Sequence, residues 1–307
     1  GGGITLDNGQ LALNVCTQMM CGGNLTLTNG GKLYLVSGPT NSTTTNYGGL
    51  VSVAGDILIA SNSWLYPYSD TNGGSYLMRM NNLLILSSNC GINASGGGFL
   101  GNFGAVAGNG PGKGLSQRRG AGHGGLGGGY SGAVPGGYEY DATNAPLLPG
   151  SSGGGQGGSW GSPGGGVVWI EIAEQFLLRG SIRANAGSPI PYTGAGSGGS
   201  IFIACKSFQS ATNASMEACG ENSPVGGSGG GGGGGRIAVY SQIPQEAVDR
   251  YAQGIPVGFI VPTNFSGLPL TVSVTNGLGT SNGSNGLPGT AFYFISARPS
   301  GVVIHVR

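Results

Sequence analysis

Three glycine-led segments between residues 164 and 240 decide the fold: GGGVVWIEIAEQFLLRGSIRANAG at 164–187, GGSIFIACKSFQSATNASMEACG at 198–220, and GGGGGGGRIAVY at 229–240. Superposing the first two aligns Val168 with Ile201, Ile170 with Ile203, and Ile172 with Cys205. Ile237 and Val239 repeat the pattern in the third segment. Apolar and polar residues alternate, which is the period of a β-strand with one buried face. Such a unit, recurring every 33 or 34 residues, predicts stacked coils.

The superposition slips by one residue further along, where Ile182 and Ala184 fall on Met216 and Ala218. Paired glycines precede the repeats at 165–166, 198–199 and 234–235. Since glycine adopts positive φ without steric cost, these pairs are predicted to make the corners between coils. The sequence thus predicts an all-β protein built from parallel β-helix or β-solenoid-like coils, with residues 167–241 as its C-terminal coils.

Residues 1–95 repeat this design in shorter units and are predicted to be N-terminal β coils. Short apolar strands flank Asn8-Gly9 and Asn29-Gly30-Gly31, and Asn-Gly favours a tight turn. Two arrangements fit this spacing: parallel stacking of successive coils, or a meander of antiparallel hairpins. The unit at 73–95 matches both ends of the 164–187 repeat, so residues 96–166 are predicted to be an insertion between equivalent coils.

The insertion at 96–166 is dominated by glycine. A flexible linker is one interpretation of that composition. The large side chains of this segment argue against a linker, because a solvated linker does not need them. They are Phe99, Phe103, Leu126, Tyr130, Tyr138, Tyr140 and Trp160. We therefore predict a glycine-rich insertion packed on the solenoid. Its bare backbones would hydrogen-bond to one another to offset the entropy of ordering, while the aromatic rings fill the gaps.

Residues 242–307 depart from the repeat and are predicted to be a β subdomain, a cap or an assembly segment. The only stretch with helical character is IPQEAVDRYAQG at 243–254. Strands are predicted after it at 258–261, 270–274, 291–295 and 302–306. The last of these is predicted to pair with a neighbouring molecule.

Composition argues against several classes of function. Only 7% of the 307 residues are charged and the net charge is +1, whereas nucleic-acid binding requires a basic patch. No apolar run approaches the roughly 20 residues of a membrane-spanning helix, so no membrane span is predicted. The chain opens with GGGITL and shows no signal peptide, which predicts a processed product or a portion of a longer precursor.

Candidate glycosylation sites are the asparagines of six Asn-X-Ser/Thr sequons, which are Asn24, Asn41, Asn93, Asn213, Asn264 and Asn282. The chain has five cysteines, at positions 16, 21, 90, 205 and 219. Because this number is odd, at least one of them cannot form a disulfide within the chain. Two disulfides are candidates: Cys16–Cys21 would close a short loop, and Cys205–Cys219 would join two strands of one coil. Cys205 is predicted to point inward because it aligns with Ile172.

The order of the glycine motifs resembles that of a known family. The motifs are INASGGG at 92–98, GNGPGKG at 108–114, GAGHGGLGGGYSG at 120–132, SGGG at 152–155, GGGVVWIEI at 164–172, GSIRANAG at 180–187, GSGGSIFI at 196–203 and GGGGGGRIAVY at 230–240. They are similar to the glycine-rich repeat region of large exported surface proteins of bacteria, algae and plants. The resemblance implies a secreted, β-helical protein with a structural or adhesive role, and it supplies no catalytic residues to transfer.

Candidate catalytic groups are few. The acidic residues are scattered, and Glu139 with Asp141 is the one pair considered for a glycosidase site. Neither His123 nor His305 lies near a G-x-S-x-G elbow, and His123 is predicted to pack or hydrogen-bond among glycine backbones. The calcium-binding G-G-x-G-x-D repeat, CxxC zinc ligands and the phosphate-binding P-loop motif are all missing from the sequence. We therefore predict no enzyme, no metal and no cofactor.

Three functional hypotheses fit these features. The leading one is a non-enzymatic structural protein of the extracellular surface that self-assembles head to tail into a filament or coat, because solenoid ends expose strand edges. The alternative is a carbohydrate-binding adhesin in which Trp64, Tyr66, Tyr68 and Tyr192 stack on sugar rings. A polysaccharide-degrading β-helix enzyme using Glu139 or Asp141 is the third. The predicted partners are other copies of the chain and, for the adhesin, glycans.

Overall fold

The computed structural model describes residues 2–15, 18–40, 47–131, 135–223 and 228–297. Within these residues the chain forms nineteen strands and one short helix, so it is nearly all-β. The strands lie in two sheets, a twelve-stranded sheet A and a seven-stranded sheet B. This arrangement of parallel strands is compatible with a β-solenoid, and it confirms the all-β, parallel-strand part of the prediction.

Sheet A contains β1 (Ile4–Asp7), β3 (Gln18–Cys21), β4 (Leu25–Thr28), β6 (Gly49–Val53), β7 (Ile57–Ile59), β9 (Tyr76–Met80), β10 (Leu83–Ile85), β12 (Val167–Leu178), β14 (Ser200–Ser210), β16 (Arg236–Ser241), β17 (Ile260–Thr263) and β19 (Thr290–Ser296). Sheet B contains β2 (Gln10–Asn14), β5 (Lys32–Val36), β8 (Trp64–Tyr68), β11 (Gly91–Asn93), β13 (Ser181–Arg183), β15 (Ala214–Glu217) and β18 (Leu270–Ser273). The helix, α1, spans Gln245–Ala252. Every pairing between these strands is parallel except that of β17 with β19.

The register predicted between the long repeats is confirmed. In the pairing of β12 with β14, the neighbours are Val168 and Ile201, Ile170 and Ile203, and Ile172 and Cys205. β16 continues the ladder, since Ile237 lies beside Ile201. These residues are all buried in one core. The alternation in the sequence therefore identifies the inward side of each strand.

The one-residue slip of the repeat is the net result of two differences in length between the coils. The register of β12 with β14 shifts between Ile172 and Gln175, where a bulge adds one residue to β12. The connection from sheet A to sheet B is two residues longer after β14 than after β12. As a result β13 and β15 pair with Ile182 beside Met216, as the slipped superposition predicts.

The early coils stack in parallel and do not form hairpins. β1 pairs with β4 in sheet A, while β2 pairs with β5 in sheet B, and both pairings are parallel. Each Asn-Gly turn therefore makes a corner between the two sheets. Asn8 and Asn29 adopt φ values of 51° and 52° at these corners, a left-handed conformation that asparagine tolerates better than most residues.

The paired glycines before the long strands are needed for their small size and not for their backbone angle. None of the glycines at 165–166, 198–199 and 234–235 has positive φ, so the prediction of left-handed corners is wrong there. A Cβ atom at Gly199 would overlap the carbonyl oxygen of Gly166, and one at Gly235 would overlap that of Gly199. Successive coils come too close at this corner for any side chain.

Two apolar cores lie on opposite sides of sheet A. The main core contains the inward residues of both sheets, among them Leu33 and Phe176. A second core lies outside sheet A, where Trp169 and Phe202 belong to the same apolar cluster as Val248 of α1. The helix predicted at 243–254 is thus confirmed, and it covers the outer face of the sheet.

The C-terminal region shares both sheets with the earlier coils. β18 pairs with β15 in sheet B, and β19 pairs with β16 in sheet A. Residues 242–269, which include α1 and β17, leave the coil and return to it, and β17 lies antiparallel beside β19. As far as residue 297, the predicted β subdomain is therefore an extension of the coils. The strand predicted at 302–306 lies outside the described residues.

Glycine segments from several parts of the chain form one layer beside the coils. This glycine layer comprises residues 96–131 and 135–166 together with the return segments 184–199, 218–223, 228–235 and 274–289. Three successive N–H groups donate to three different segments at 2.8–2.9 Å: Gly120 to Gly128, Ala121 to Ala195, and Gly122 to Gly112. A β-strand directs its hydrogen bonds to two sides, whereas an extended helix with three residues per turn directs them to three. The layer therefore holds together through backbone hydrogen bonds between such extended segments.

The aromatic residues of the insertion fill gaps only in part. Phe99 is buried, and the ring of Tyr140 packs against His123 with centroids 4.5 Å apart. Phe103 and Trp160 are each more than half exposed and contact one another on the surface. Because the glycine segments pack backbone to backbone, they leave little space between them. The prediction that the rings fill internal gaps is therefore wrong for Phe103, Trp160 and Tyr138, of which Tyr138 is 56% exposed.

Candidate functional site

A cluster of buried polar side chains joins the glycine layer to sheet A. His123 is fully buried, and its Nδ1 lies 2.8 Å from the carbonyl oxygen of Gly198. Its Nε2 lies 3.4 Å from Asp141 Oδ2 and 3.5 Å from Ser200 Oγ. The Ser200 hydroxyl also donates to the carbonyl oxygen of Leu148 at 2.7 Å. The fold thus brings together a serine, a histidine and an aspartate that are far apart in the sequence.

The geometry of this cluster does not suit nucleophilic catalysis. In a catalytic triad the serine and the aspartate contact opposite nitrogens of the imidazole ring. Here Ser200 and Asp141 both face Nε2 of His123, while the Gly198 carbonyl occupies Nδ1. The side chain of His123 has no exposed surface, so a substrate cannot reach the imidazole ring. The cluster ties segments together, and His123 hydrogen-bonds to a glycine backbone as predicted.

Arg236 of β16 extends the cluster toward the last strand of sheet A. It is 5% exposed, and its Nε donates to the carbonyl oxygen of Tyr140 at 3.0 Å while Nη1 donates to Thr290 Oγ1 at 2.9 Å. Burial lowers the pKa of the guanidinium, and the nearby carboxylates of Asp141 and Glu139 oppose that shift. Arg236 therefore connects residues 139–141 of the glycine layer to two strands.

The two carboxylates considered for a glycosidase lie in different environments. Asp141 Oδ2 accepts a hydrogen bond from the backbone N–H of Leu148 at 2.9 Å and lies 3.3 Å from Ser200 Oγ, whereas Glu139 is exposed. Asp141 is thus occupied by contacts within the fold. Within the described ranges, no group of three or more His, Cys, Asp or Glu side chains is placed to hold a metal ion.

The aromatic residues predicted to bind sugars lie in two places. Trp64, Tyr66 and Tyr68 are alternate residues of β8 on the outer face of sheet B, whereas Tyr192 is exposed in a return segment of the glycine layer. Tyr34 of β5, which the sequence analysis missed, stacks on Tyr66 with ring centroids 4.7 Å apart and an interplanar angle of 9°. The parallel register of β5 and β8 brings these two tyrosines together, so alignment of the short coils is the signal that finds Tyr34.

Several ring faces in this aromatic row are already covered. Tyr34 and Tyr66 cover one face of each other, and the guanidinium of Arg183 lies 5.5 Å over the ring of Trp64. A sugar ring stacks on an uncovered aromatic face. The row therefore offers little flat surface for the stacking that the adhesin hypothesis requires.

The candidate bridge between Cys205 and Cys219 is not formed, because both are free thiols that contact the next coil at different points. Cys205 Sγ lies 3.4 Å from the carbonyl oxygen of Tyr240, and Cys219 Sγ lies 3.1 Å from Ser273 Oγ. Cys205 is buried as predicted, and this burial raises the pKa of its thiol to about 12.

The candidate bridge between Cys16 and Cys21 lies partly outside the described residues, because Cys16 is not among them. Cys21 is a buried free thiol.

Four sequon asparagines are exposed, which are Asn24, Asn213, Asn264 and Asn282. Asn93 is half-buried at the end of β11, and Asn41 lies outside the described residues. Glycosylation adds a bulky group that needs a surface position, so the exposed four meet this requirement. Carbohydrate at these positions stays a prediction.

In the part of the chain that the structure describes, one edge of the first coil has no neighbouring strand. Among the described residues, β1 pairs only with β4, and β2 pairs only with β5. The N–H groups of Ile4 and Asn8 donate to backbone carbonyls on the β4 side at 2.8 and 3.0 Å. Since backbone groups alternate in direction along a strand, those of Thr5 and Asp7 point toward the open side.

The apolar residues of the first coil are also incompletely covered. Leu25 and Leu33 in the second coil have no exposed surface, whereas their register partners Ile4 and Leu11 are half-buried. An unpaired edge with apolar side chains is a template for a further strand. This end of the coils is the strongest candidate for an interaction site.

The C-terminal end of the coils is covered in part. Among the described residues β18 pairs only with β15, and its inward residues Leu270 and Val272 are half-buried. In sheet A, however, β17 lies along the outer edge of β19. The two ends of the stack are therefore different surfaces.

Comparison with protein-family models, with curated proteins and with solved structures finds no match for this chain. The resemblance to exported glycine-rich surface proteins therefore remains a prediction. In the part of the chain that the structure describes, no helix has the length and apolar content needed to cross a membrane.

Proposed function

We propose that this protein is a non-enzymatic structural subunit with a β-solenoid fold, which assembles head to tail into an extracellular filament or coat. The observation that carries the proposal is the first coil, where half-buried apolar residues adjoin a strand edge that no described residue pairs with. A second copy docked there would bury Ile4, Leu6, Leu11 and Leu13 and would pair the open backbone groups. The occupied Ser200–His123–Asp141 cluster supports the non-enzymatic part.

The polarity of the coils supports a head-to-tail contact. β2 at one end and β18 at the other both belong to sheet B, and each has half-buried inward residues. Sheet A stacks nine strands along this axis and sheet B stacks seven, so a second copy placed in continuation of the coils meets β17 in sheet A before it reaches β18. Contacts between two different surfaces do not close on themselves, and they generate fibres.

Electron microscopy of the purified full chain over a range of concentrations tests this proposal. We expect filaments at high concentration. The longest path through sheet A has nine strands, and strands lie about 4.8 Å apart, so the axial repeat should be about 43 Å. A protein that stays monomeric at every concentration would contradict the proposal.

A pair of matched variants locates the contact. Leu11→Lys places a charge at the open end, where the residue is already half-exposed, so we expect a folded protein that forms no filaments. Leu100→Lys makes the same change at a residue of the glycine layer that is 53% exposed, and it should assemble as the wild type does. Equal assembly of the two variants would rule out the first coil as the contact.

A further inference from the structure

Three of the twelve lysine and arginine residues lie close together in the glycine layer. They are Lys113, Arg118 and Arg119, and we call this group the basic patch. Lys113 is exposed, and the two arginines are half-buried. A Cβ atom at Gly114 would overlap the carbonyl oxygen of Arg119, so the backbone next to Lys113 contacts the backbone of Arg119. The fold therefore places the three cations in one region of the layer.

The charges of the basic patch are not paired. Elsewhere in the chain, Arg79, Arg183 and Lys206 each lie beside a glutamate oxygen, at 2.7, 3.9 and 2.7 Å. In the described ranges, no carboxylate forms an ion pair with a cation of the basic patch. Glu139 is the nearest acidic residue in the sequence, and with it included the region has a net charge of +2. The patch therefore attracts an anionic ligand.

The glycine layer holds the two arginines in place. The N–H of Gly230 donates to the carbonyl oxygen of Arg118 at 2.8 Å, and the N–H of Gly154 donates to that of Arg119 at 2.9 Å. The guanidinium of Arg118 lies 5.5 Å over the ring of Tyr130. Because these groups are already ordered, a ligand loses less affinity to the cost of ordering them.

Most of the guanidinium donors in the basic patch are unused. Arg119 Nη1 donates to the carbonyl oxygen of Pro135 at 3.4 Å, and the side chain of Arg118 makes no hydrogen bond with any described residue. The Nε atoms of both arginines are covered, so a ligand would contact the Nη groups. A planar guanidinium matches the two oxygens of a carboxylate. The patch is therefore suited to carboxylate groups.

An exposed aromatic ring borders the basic patch. A Cβ atom at Gly112, the residue before Lys113, would overlap the carbonyl oxygen of Tyr138. Tyr138 is 56% exposed, so its ring is open to a ligand. Sugar rings pack on open aromatic faces, and their combination with cations favours a sugar acid. Nucleic acid is disfavoured, because the chain has a net charge of only +1.

We propose that the basic patch binds an acidic polysaccharide whose sugar units carry carboxylate groups. The carboxylates accept hydrogen bonds from Arg118 and Arg119, and the charge of Lys113 adds to the attraction. One sugar ring packs on Tyr138. This interaction uses none of the apolar residues of the first coil, so it can be tested separately from assembly.

Isothermal titration of the full chain with polygalacturonate at low ionic strength tests the proposal. We expect saturable binding that added salt weakens, because salt screens exposed charges. The fully methyl-esterified polymer, which has the same sugars without their charges, should not bind. Arg118→Gln combined with Arg119→Gln should weaken binding about tenfold or more. Arg179→Gln combined with Arg250→Gln removes the same charge at two exposed positions outside the patch and should leave the affinity unchanged.

Two further variants keep the test decisive. Arg118→Lys combined with Arg119→Lys keeps the charge and should still weaken binding several-fold, because an ammonium group lacks the planar fork. Lys113→Gln changes an exposed residue and should also weaken binding, which covers the case that the arginine variants do not fold.

Three results would overturn the proposal. The first is that polygalacturonate does not bind, or binds no better than its methyl ester. The second is that the folded variants of the basic patch bind as the wild type does, or that the control variant loses as much affinity as they do. The third is that double-stranded DNA binds more tightly than polygalacturonate at equal charge concentration.

Discussion

The early coils and the glycine layer bury their backbones by opposite means. In the coils, inward side chains such as Leu33 and Ile59 stack in ladders and fill the interior. In the glycine layer, the segments approach until one carbonyl lies where the neighbour's side chain would begin, as at Gly232 and the Gly196 carbonyl. Substitution is therefore limited by volume in the coils, whereas in the glycine layer it is limited by the presence of any side chain.

The largest effect should come from emptying the core of the coils. Phe176 has no exposed surface and stacks on Phe208 with ring centroids 4.9 Å apart. Phe176→Ala should lower the free energy of unfolding by about 4 kcal/mol, because it removes apolar contacts and leaves a cavity. Urea unfolding measures this loss. Leu84→Ala, at a half-buried position of the neighbouring strand β10, is the control, and an equal loss there would show that the ladder is not what stabilises the coils.

An intermediate effect should come from adding one methyl group to the glycine layer. Gly232→Ala should lower the free energy of unfolding by about 3 kcal/mol, because its Cβ overlaps a backbone carbonyl that cannot rotate away. Gly157→Ala is the matched control, since nothing lies within 4 Å of its added Cβ, and the expected change is less than about 0.5 kcal/mol. Similar values for the two variants would mean that close backbone approach does not limit this layer.

The smallest effect should come from the protonation of Cys205 inside the coils. The pKa of its thiol is raised from an ordinary value of 9.0 to about 12 by burial, so the folded chain holds this proton more tightly than the unfolded chain. The contribution of this proton to the free energy of unfolding is complete below pH 9 and decreases as the pH rises toward 12. Between pH 9 and pH 10 the wild type should lose about 1 kcal/mol relative to Cys205→Val. Urea unfolding at both pH values checks this, and parallel changes in the two proteins would contradict it.

The coils could be predicted from sequence because their pattern is local. Alternation identifies the inward side of each strand, and the repeat length brings Val168 beside Ile201. The glycine corners could not be predicted in the same way. A glycine is compatible both with positive φ and with close approach, and only the distance between Gly199 and the preceding coil shows which of the two applies.

The buried cluster was not predicted, because it combines residues from separate parts of the chain. His123 comes from the insertion and Ser200 from the start of β14, and no spacing rule connects them. The sequence did contain one signal for the second core outside sheet A. Trp169 and Phe202 occupy outward positions of strands whose inward positions are also apolar, which is typical of a sheet covered on both faces.

The glycine layer is made of segments from distant parts of the chain, and this determines when during synthesis the layer can form. The N–H of Gly128 donates to Gly231, and that of Leu287 donates to Leu126. On a ribosome, residues 96–131 therefore emerge long before the segments that satisfy their hydrogen bonds. The N-terminal coils have all their strands by then, so they can fold during synthesis, whereas the glycine layer must wait until residue 289 has been added.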